Sequence, residues 1–317
     1  MADLEKSVLG RTGLEVTKLG YGAMELRGPA GGRGREIDPA DAAGILNAVL
    51  DAGINFIDTS PDYGNSEALI GAAISGRRDE FFLASKCGCA INQPPPREGE
   101  RPEHVFTPEN IRAGVEQSLQ RMNTDHIDIV QFHVSPSREH LEQNGAVDAL
   151  AALRDEGKIR FLGMSGTLPN INDHIAMGVF DAFQIPYSAL EREHEAVITD
   201  AADAGSGTII RGGVARGQPD KMPAVADLPG PWAEVMQQMA QTRKDRWEQA
   251  NLDDLLDGST RSAFTLRFTL SHPQMHTTIV GTANPDHLAA NVAAAAKGAL
   301  PDDVYAEAKM RLSQVDE

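Results

Sequence analysis

The sequence predicts a single α/β domain over residues 1–317, a (β/α)8 TIM barrel preceded by an N-terminal β-hairpin. Short apolar runs alternate with longer helical segments along the whole chain, roughly eight of each. No Gly-x-Gly-x-x-Gly sequence follows a predicted strand, which argues against two doubly wound halves. No change in composition marks a second domain, and a chain of 317 residues suits one barrel.

The predicted elements begin with a hairpin over residues 7–16, where two apolar runs flank a turn bracketed by glycines. Residues 18–24 form the first barrel strand. Two helix starts combine a capping side chain with a following proline, at Asp38-Pro39 and at Thr107-Pro108. The alternation then predicts strands at 55–58, 81–86, 128–133, 159–166, 182–185, 207–211 and 277–280, and helices at 39–51, 66–74, 146–156, 168–177, 192–204 and 285–297.

Extra helices are expected in two places. Two helical segments, 232–257 and 261–270, lie between the seventh and eighth strands, and a C-terminal helix at 301–315 follows the last barrel helix. Stretches rich in glycine and proline predict long loops, which in compact domains are commonly functional. These loops cover residues 25–38, 89–106 and 212–230.

Composition restricts the class of partner. The formal charge of −17 and the scattered Lys and Arg side chains disfavour nucleic acid and anionic membranes. No apolar run approaches the roughly 20 residues of a membrane helix, and the first residues lack the layout of a signal peptide. Cys87 and Cys89 fit disulfide geometry poorly, and a Cys-x-Cys pair alone offers too few ligands for zinc. We therefore expect a cytoplasmic protein that binds a small molecule and has no metal site.

Polar side chains follow three successive strands at the points where the strands end. Asp58, Lys86 and His133 close the second, third and fourth barrel strands, and Tyr63 lies on the loop after the second. Singly, each has an ordinary explanation as a loop cap, a rim charge, a packing residue or a turn residue. Because the carboxyl ends of barrel strands meet at one mouth, together they predict a catalytic site.

These four side chains suit acid–base chemistry on an oxygen atom. The ordinary pKa of a tyrosine is about 10, and a nearby ammonium group lowers it. Lys86 would supply that ammonium and Asp58 would hold it. His133 would either bind the substrate oxygen or share its proton with Tyr63. A tuned phenol can protonate a carbonyl oxygen while a hydride reaches the carbon. A barrel aldolase with Lys86 as Schiff-base amine is an alternative.

The chain resembles the aldo-keto reductase superfamily nearly end to end. The resemblance is carried by residues 9–16, 19–24, 53–60 and 63–67, and Lys86 and His133 complete what looks like the family's Asp-Tyr-Lys-His tetrad. It implies an NAD(P)H-dependent oxidoreductase that interconverts an aldehyde or ketone and its alcohol. The family binds its cofactor without a Rossmann domain. A non-catalytic or regulatory nicotinamide-binding protein on the same barrel is the alternative.

The resemblance also implies cofactor contacts. Ser165 and Gln184 match the family's contacts to the nicotinamide amide, whereas the usual asparagine position is Gly166. Arg211 stands where an aromatic residue commonly stacks on the nicotinamide. A guanidinium can also stack on a flat ring. Pairing of Arg211 with a phosphate or a carboxylate is the other interpretation.

The adenosine end of the cofactor is expected along residues 280–291. Gly281 and Thr282, followed by a helix N-terminus, suit a phosphate. By resemblance, Asn284 belongs to this segment, Asn291 matches an adenine contact and His287 replaces the usual 2′-phosphate arginine. The expected cofactor is NADPH, with NADH as the alternative. The substrate pocket is expected to include Tyr21, Met24, Tyr63 and His133.

Overall fold

The computed structural model describes residues 3–28, 36–91, 103–214 and 231–316. An antiparallel hairpin joins β1 (Lys6–Val8) to β2 (Glu15–Thr17). Eight parallel strands then close into a barrel, which confirms the predicted fold class. In order around the barrel they are β3 (Leu19–Gly22), β4 (Phe56–Asp58), β5 (Phe82–Cys87), β6 (Ile127–Phe132), β7 (Ile159–Ser165), β8 (Ala182–Pro186), β9 (Gly207–Arg211) and β10 (Thr277–Val280).

Helices alternate with these strands along the described ranges. They are α1 (Pro39–Asp51), α2 (Ser66–Ile74), α3 (Pro108–Met122), α4 (Arg138–Gln143), α5 (Ala146–Asp155), α6 (Asn170–Met177), α7 (Glu195–Asp203), α8 (Pro231–Gln249), α9 (Arg261–Leu270), α10 (Pro285–Ala295) and α11 (Asp302–Asp316). Both predicted helix caps form: the Asp38 carboxylate accepts a hydrogen bond from the Ala40 amide at 2.7 Å, and Thr107 Oγ1 accepts one from the Asn110 amide at 3.4 Å. Within the ranges described above, no helix is long and apolar enough to cross a membrane.

Several element boundaries differ from the prediction. Helix α6 begins at Asn170 instead of 168, and α7 begins at Glu195 instead of 192. Helix α8 ends at Gln249, well before 257, because Asn251 adopts a left-handed conformation with φ of 48° and a 3₁₀ turn follows. The short helix α4 is an addition to the predicted elements. Of the predicted loops, residues 29–35, 92–102 and 215–230 lie outside the described residues.

The hairpin closes one end of the barrel. Leu9, Leu14 and Val16 form a buried apolar cluster with barrel-strand side chains, namely Phe56, Ala84, Ile129, Ala182 and Ile209. The fit is close, because a Cβ atom on Gly10, whose φ is +49°, would lie 2.3 Å from the Gly207 amide nitrogen. The hairpin packs this end, and the carboxyl ends of the strands form the opposite mouth, which is where barrel enzymes place their active sites.

An isolated β-bridge joins the two ends of the connection between β5 and α3. Cys89 and His104 form an antiparallel bridge. The Ala90 amide donates to the Glu103 carbonyl at 3.0 Å, and the Val105 amide donates to the Gly88 carbonyl at 2.7 Å. Residues that are fifteen apart in sequence are thereby held side by side at the barrel mouth.

Candidate active site

Asp58 and Lys86 form a buried charge pair at the carboxyl ends of β4 and β5. Asp58 pairs in register with Ala84, and Lys86 is two residues further along β5, so both side chains lie on the same side of the sheet. Lys86 Nζ donates to Asp58 Oδ1 at 2.5 Å and to the Thr59 carbonyl at 3.0 Å. The two side chains are only 0% and 2% exposed, so each charge depends on the other for compensation.

Two glutamine side chains complete the surroundings of Asp58. Nε2 of Gln131 on β6 and Nε2 of Gln184 on β8 each donate to Asp58 Oδ1 at 2.9 Å. Gln131 is absent from the predicted site, although an amide within an apolar strand just before His133 is a usable sequence signal. Gln184, predicted to contact nicotinamide, is also bound by Ser165, whose Oγ donates to Gln184 Oε1 at 3.2 Å.

Tyr63 lies on the loop between β4 and α2, as predicted, and hydrogen bonds fix this loop at both ends. The Tyr63 amide donates to the Ser60 carbonyl at 3.0 Å, and its carbonyl accepts from the Ser66 amide at 2.8 Å. The Ser66 hydroxyl donates to the Ala23 carbonyl at 2.9 Å and lies 2.9 Å from Thr59 Oγ1. The phenol is therefore held half-buried at the mouth of the barrel.

The electrostatics of Tyr63 correct one expectation. Burial raises the pKa of Tyr63 above its ordinary value, the Asp58 carboxylate raises it further, and the Arg211 guanidinium opposes the rise. The predicted net lowering of this pKa by Lys86 is wrong in direction. The Lys86 charge is matched by Asp58 at 2.5 Å, so loss of water around the phenol dominates. At neutral pH the phenol is protonated.

His133 directly follows β6 and lies beside Tyr63. The two ring centroids are 6.4 Å apart, and the ring planes are nearly perpendicular, at 81°. The His133 amide donates to the Cys87 carbonyl at 3.2 Å, which extends the pairing of β5 with β6. Burial lowers the pKa of His133, while its hydrogen bond with Asp62 acts in the opposite direction. The net lowering favours a neutral imidazole, which offers one donor and one acceptor.

Three further side chains surround Nδ1 of His133 and are absent from the predicted site. Asp62 Oδ2 lies 3.2 Å from this nitrogen, His104 Nε2 lies 3.3 Å from it, and Cys89 Sγ lies 3.5 Å from it. Asp62 Oδ2 is also 3.0 Å from His104 Nε2. The sequence places these groups on a loop near Tyr63 and at the two ends of a proline-rich loop, and only the fold brings them together. We call Asp62, Cys89, His104 and His133 the mouth cluster.

The predicted nicotinamide contacts lie on neighbouring strands. Ser165, the last residue of β7, pairs in register with Gln184 on β8, and Arg211 ends β9. The Gly166 amide donates to the Gln184 carbonyl at 3.1 Å. A Cβ atom on Gly166 would lie 2.9 Å from Cγ1 of Ile171, so the asparagine usual in the family has no room here. The cofactor roles of these four residues stay predictions.

The predicted adenosine segment surrounds the start of α10. Asn284 caps this helix, because its side-chain oxygen accepts a hydrogen bond from the Asp286 amide at 2.8 Å. Thr282 is buried and its hydroxyl accepts from the Asn284 amide at 3.0 Å, whereas Gly281 and His287 are exposed. Asn291 is one further turn along the helix and is half-buried. An exposed helix N-terminus beside a glycine fits a phosphate, so the arrangement is compatible with the predicted cofactor.

The two remaining residues predicted to line the substrate pocket differ in environment. Tyr21 is buried, and its hydroxyl donates to the Thr282 carbonyl at 2.7 Å. This bond suits a group that holds the loop after β10 better than one that touches substrate. Met24 is 41% exposed and is free to contact a ligand at the rim. Val134, immediately after His133, is also exposed and has a positive φ of 61°.

A closed parallel barrel with polar side chains at the carboxyl ends of its strands is the architecture of a barrel enzyme. The chain belongs to the aldo/keto reductase family, because the model of that family matches residues 18–310. Family membership supports an oxidoreductase that uses a nicotinamide cofactor and a small-molecule substrate.

Known relatives agree with this assignment. The holo form of aldo-keto reductase AKR11C1 from Bacillus halodurans superposes with a TM-score of 0.79 and 26% identity, over 97% of this chain and 96% of that one. The uncharacterized oxidoreductase YqkF of Bacillus subtilis is 25% identical over 299 residues, 92% of this chain and 91% of its own length. The NADH-specific methylglyoxal reductase of Escherichia coli is 32% identical over 206 residues, 61% of each chain.

Proposed function

We propose that the protein is an NAD(P)H-dependent oxidoreductase that interconverts an aldehyde or ketone and its alcohol, with Tyr63 as general acid and base. One observation carries the proposal. The Tyr63 phenol and the His133 imidazole lie together at the barrel mouth, next to the buried pair of Lys86 and Asp58, and burial raises the pKa of the phenol. This combination supplies a proton donor and a hydrogen-bonding group for one substrate oxygen.

The raised pKa of Tyr63 favours the direction of carbonyl reduction. A phenol that stays protonated at neutral pH is ready to give its proton to the carbonyl oxygen. The nicotinamide ring, when bound, supplies the hydride that reaches the carbon. In the reverse direction the phenolate must accept the alcohol proton, and the Arg211 charge stabilises that phenolate. His133 is assigned to orient the substrate oxygen.

Lys86 and Asp58 are assigned a supporting role. Asp58 Oδ1 accepts hydrogen bonds from Lys86, Gln131 and Gln184, so its position is fixed from three other strands. Lys86 is therefore held in place by Asp58, which Gln131 and Gln184 also bind. The same contacts argue against the aldolase alternative, because an ammonium bound to a carboxylate at 2.5 Å and fully buried is a poor Schiff-base nucleophile.

Binding of the cofactor is assigned to the strand ends β7–β9 for the nicotinamide and to the start of α10 for the phosphates. NADPH is the first candidate and NADH the alternative. The exposed side chains at this helix start include Asp286, which is acidic, and His287, which stands in for the family's arginine. A negative charge there repels a 2′-phosphate. The E. coli relative is, by its name, specific for NADH.

The test compares the unmodified protein with Tyr63→Phe and with the matched control Tyr305→Phe. Tyr305 pairs its hydroxyl with that of Tyr187 at 3.2 Å, on the C-terminal helix. Carbonyl-dependent oxidation of NADPH and of NADH would be followed with a panel of aldehydes and ketones. We expect Tyr63→Phe to lose activity by roughly 100- to 10,000-fold, the usual contribution of a general acid, with cofactor binding retained and the control variant active.

Two outcomes would overturn this assignment. Full activity in Tyr63→Phe would remove the phenol from the mechanism. Cofactor binding by the unmodified protein without turnover of any carbonyl compound or alcohol would favour the regulatory alternative on the same barrel.

A further inference from the structure

The mouth cluster carries an inference that does not depend on the proposed reductase activity. Its four donor atoms are Asp62 Oδ2, Cys89 Sγ, His104 Nε2 and His133 Nδ1, and all lie within 4.8 Å of one another. The atoms come from the loops after three successive strands, β4, β5 and β6. The side chains are largely buried: Asp62, His104 and His133 are 13%, 12% and 17% exposed, and Cys89 is 3% exposed.

Four of the six separations between these atoms are close to the edges of a coordination tetrahedron, and the other two are no longer than 4.8 Å. Zinc bonds nitrogen and oxygen at about 2.0–2.2 Å and sulfur at about 2.3 Å, which gives edges of about 3.3 Å between nitrogen or oxygen donors and about 3.6 Å from nitrogen to sulfur. The two imidazole nitrogens are 3.3 Å apart, and the carboxylate oxygen lies 3.0 and 3.2 Å from them. The thiol sulfur lies 3.5 Å from the His133 nitrogen.

Hydrogen bonds alone account poorly for this arrangement. The carboxylate oxygen and the two imidazole nitrogens form a triangle in which every edge is 3.0–3.3 Å. When both nitrogens carry a hydrogen and donate to Asp62, the two N–H groups converge on one oxygen atom. The contact between His104 and His133 is then repulsive, because neither nitrogen can accept a hydrogen bond from the other. When one nitrogen is unprotonated, Asp62 faces a lone pair. A cation at the centre satisfies all four donors at once.

The surrounding structure holds the ligands in place. Asn110 on α3 clamps both ends of the loop that carries Cys89 and His104, because its Nδ2 donates to the Cys89 carbonyl at 3.0 Å and to the Val105 carbonyl at 2.8 Å. Ser60 Oγ accepts a hydrogen bond from the Asp62 amide at 3.2 Å and lies 3.8 Å from Cys89 Sγ. Preorganised ligands with fixed backbone partners are typical of metal sites.

We propose that the mouth cluster binds one Zn²⁺ ion through Asp62, Cys89, His104 and His133. Two imidazoles, one thiolate and one carboxylate form a donor set suited to zinc, and four protein ligands make a closed, structural site. Binding replaces the thiol proton of Cys89 with the metal and releases that proton to solvent. This proposal departs from the expectation of no metal site, which counted only the two cysteines.

Zinc at this position would act on the neighbouring site in two ways. It would cross-link the loops after β4, β5 and β6, on which Tyr63 and His133 lie. It would also bind His133 through Nδ1 and thereby leave the ring proton on Nε2. The nitrogen opposite the metal would then be fixed as a hydrogen-bond donor, the tautomer required to bind a substrate oxygen.

The experiment measures metal binding directly, on the untagged full-length chain and without cofactor or carbonyl substrate. The protein is stripped with a chelator, and ZnCl2 is titrated by calorimetry. CoCl2 is titrated in parallel, because tetrahedral cobalt absorbs in the visible and cobalt thiolate absorbs in the near ultraviolet. We expect one zinc per chain, and cobalt spectra that carry both features.

Variants locate the site. Cys89→Ser should remove the cobalt–thiolate band and weaken zinc binding by more than the roughly 10- to 100-fold that loss of an outer partner costs. His104→Ala, on a loop, provides a second ligand variant should Cys89→Ser fail to fold by circular dichroism. Cys87→Ser is the matched control, since Cys87 is equally buried but outside the cluster, and it should bind like the unmodified protein.

Absence of stoichiometric zinc binding would overturn the proposal. So would a cobalt–thiolate band that persists in Cys89→Ser, or one that disappears in Cys87→Ser. Because no readout involves turnover, failure here leaves the proposed reductase function untouched, and failure of that function leaves this result intact.

Discussion

Replacement of Asp58 by asparagine should destabilise the protein by an amount that the structure allows us to estimate. The substitution keeps the shape of the side chain but removes the negative charge that faces Lys86 Nζ at 2.5 Å. Both side chains are almost fully buried, at 2% and 0% exposure, so water cannot take over that role. Removing one partner of a buried ion pair costs about 3–5 kcal/mol. The variant would lose a large share of a typical total stability of about 5–15 kcal/mol.

The assay is equilibrium unfolding in urea at neutral pH, followed by circular dichroism. The double variant Asp58→Asn, Lys86→Met should recover part of the loss, because it removes the uncompensated ammonium as well. Glu142→Gln is the matched control, since its partner Arg138 lies at 2.6 Å but both side chains are about half exposed. Such surface pairs contribute about 0–1 kcal/mol. A loss below about 1 kcal/mol in Asp58→Asn would refute the reasoning.

Two further predictions concern Arg211 and Gly166, which are predicted to lie near the cofactor. Arg211→Met removes the cation that opposes the raised pKa of Tyr63, so the rise of alcohol oxidation with pH should move to higher pH. Arg211→Lys should return the pH profile to that of the unmodified protein. An unmoved profile in Arg211→Met would contradict this role. Gly166→Asn forces its Cβ against Ile171 at 2.9 Å and should cost about 1–3 kcal/mol in urea unfolding. Gly44→Ala, which meets no atom within 4 Å, should not destabilise the protein, and equal losses in both variants would discount the clash.

The barrel and its mouth could be predicted from the sequence because strand ends follow from local patterns. Asp58, Lys86 and His133 each stand where an apolar run stops, and parallel strands bring such positions together. Their electrostatics could not be predicted in the same way. Burial and the pairing of Lys86 with Asp58 determine the pKa of Tyr63, and both depend on three-dimensional distances.

The mouth cluster was beyond sequence reasoning for a related reason. Cys89 and His104 meet through one antiparallel bridge within a loop that has no periodic pattern. Asp62 gives no signal of its own beside the more conspicuous Tyr63. The sequence does not predict the short helix α4, because six residues are too few to show the helical period of apolar side chains.

The bridge between Cys89 and His104 also bears on how this enzyme could change over evolutionary time. The amide of Ala90 and the carbonyl of Glu103 are joined at 3.0 Å, so the chain between them leaves and returns at nearly the same point. Doubling the length of a loop whose ends are held together costs only about 0.6 kcal/mol in conformational entropy. Insertions and deletions between these anchors should therefore cost little stability, while the side chains at the anchors keep their positions.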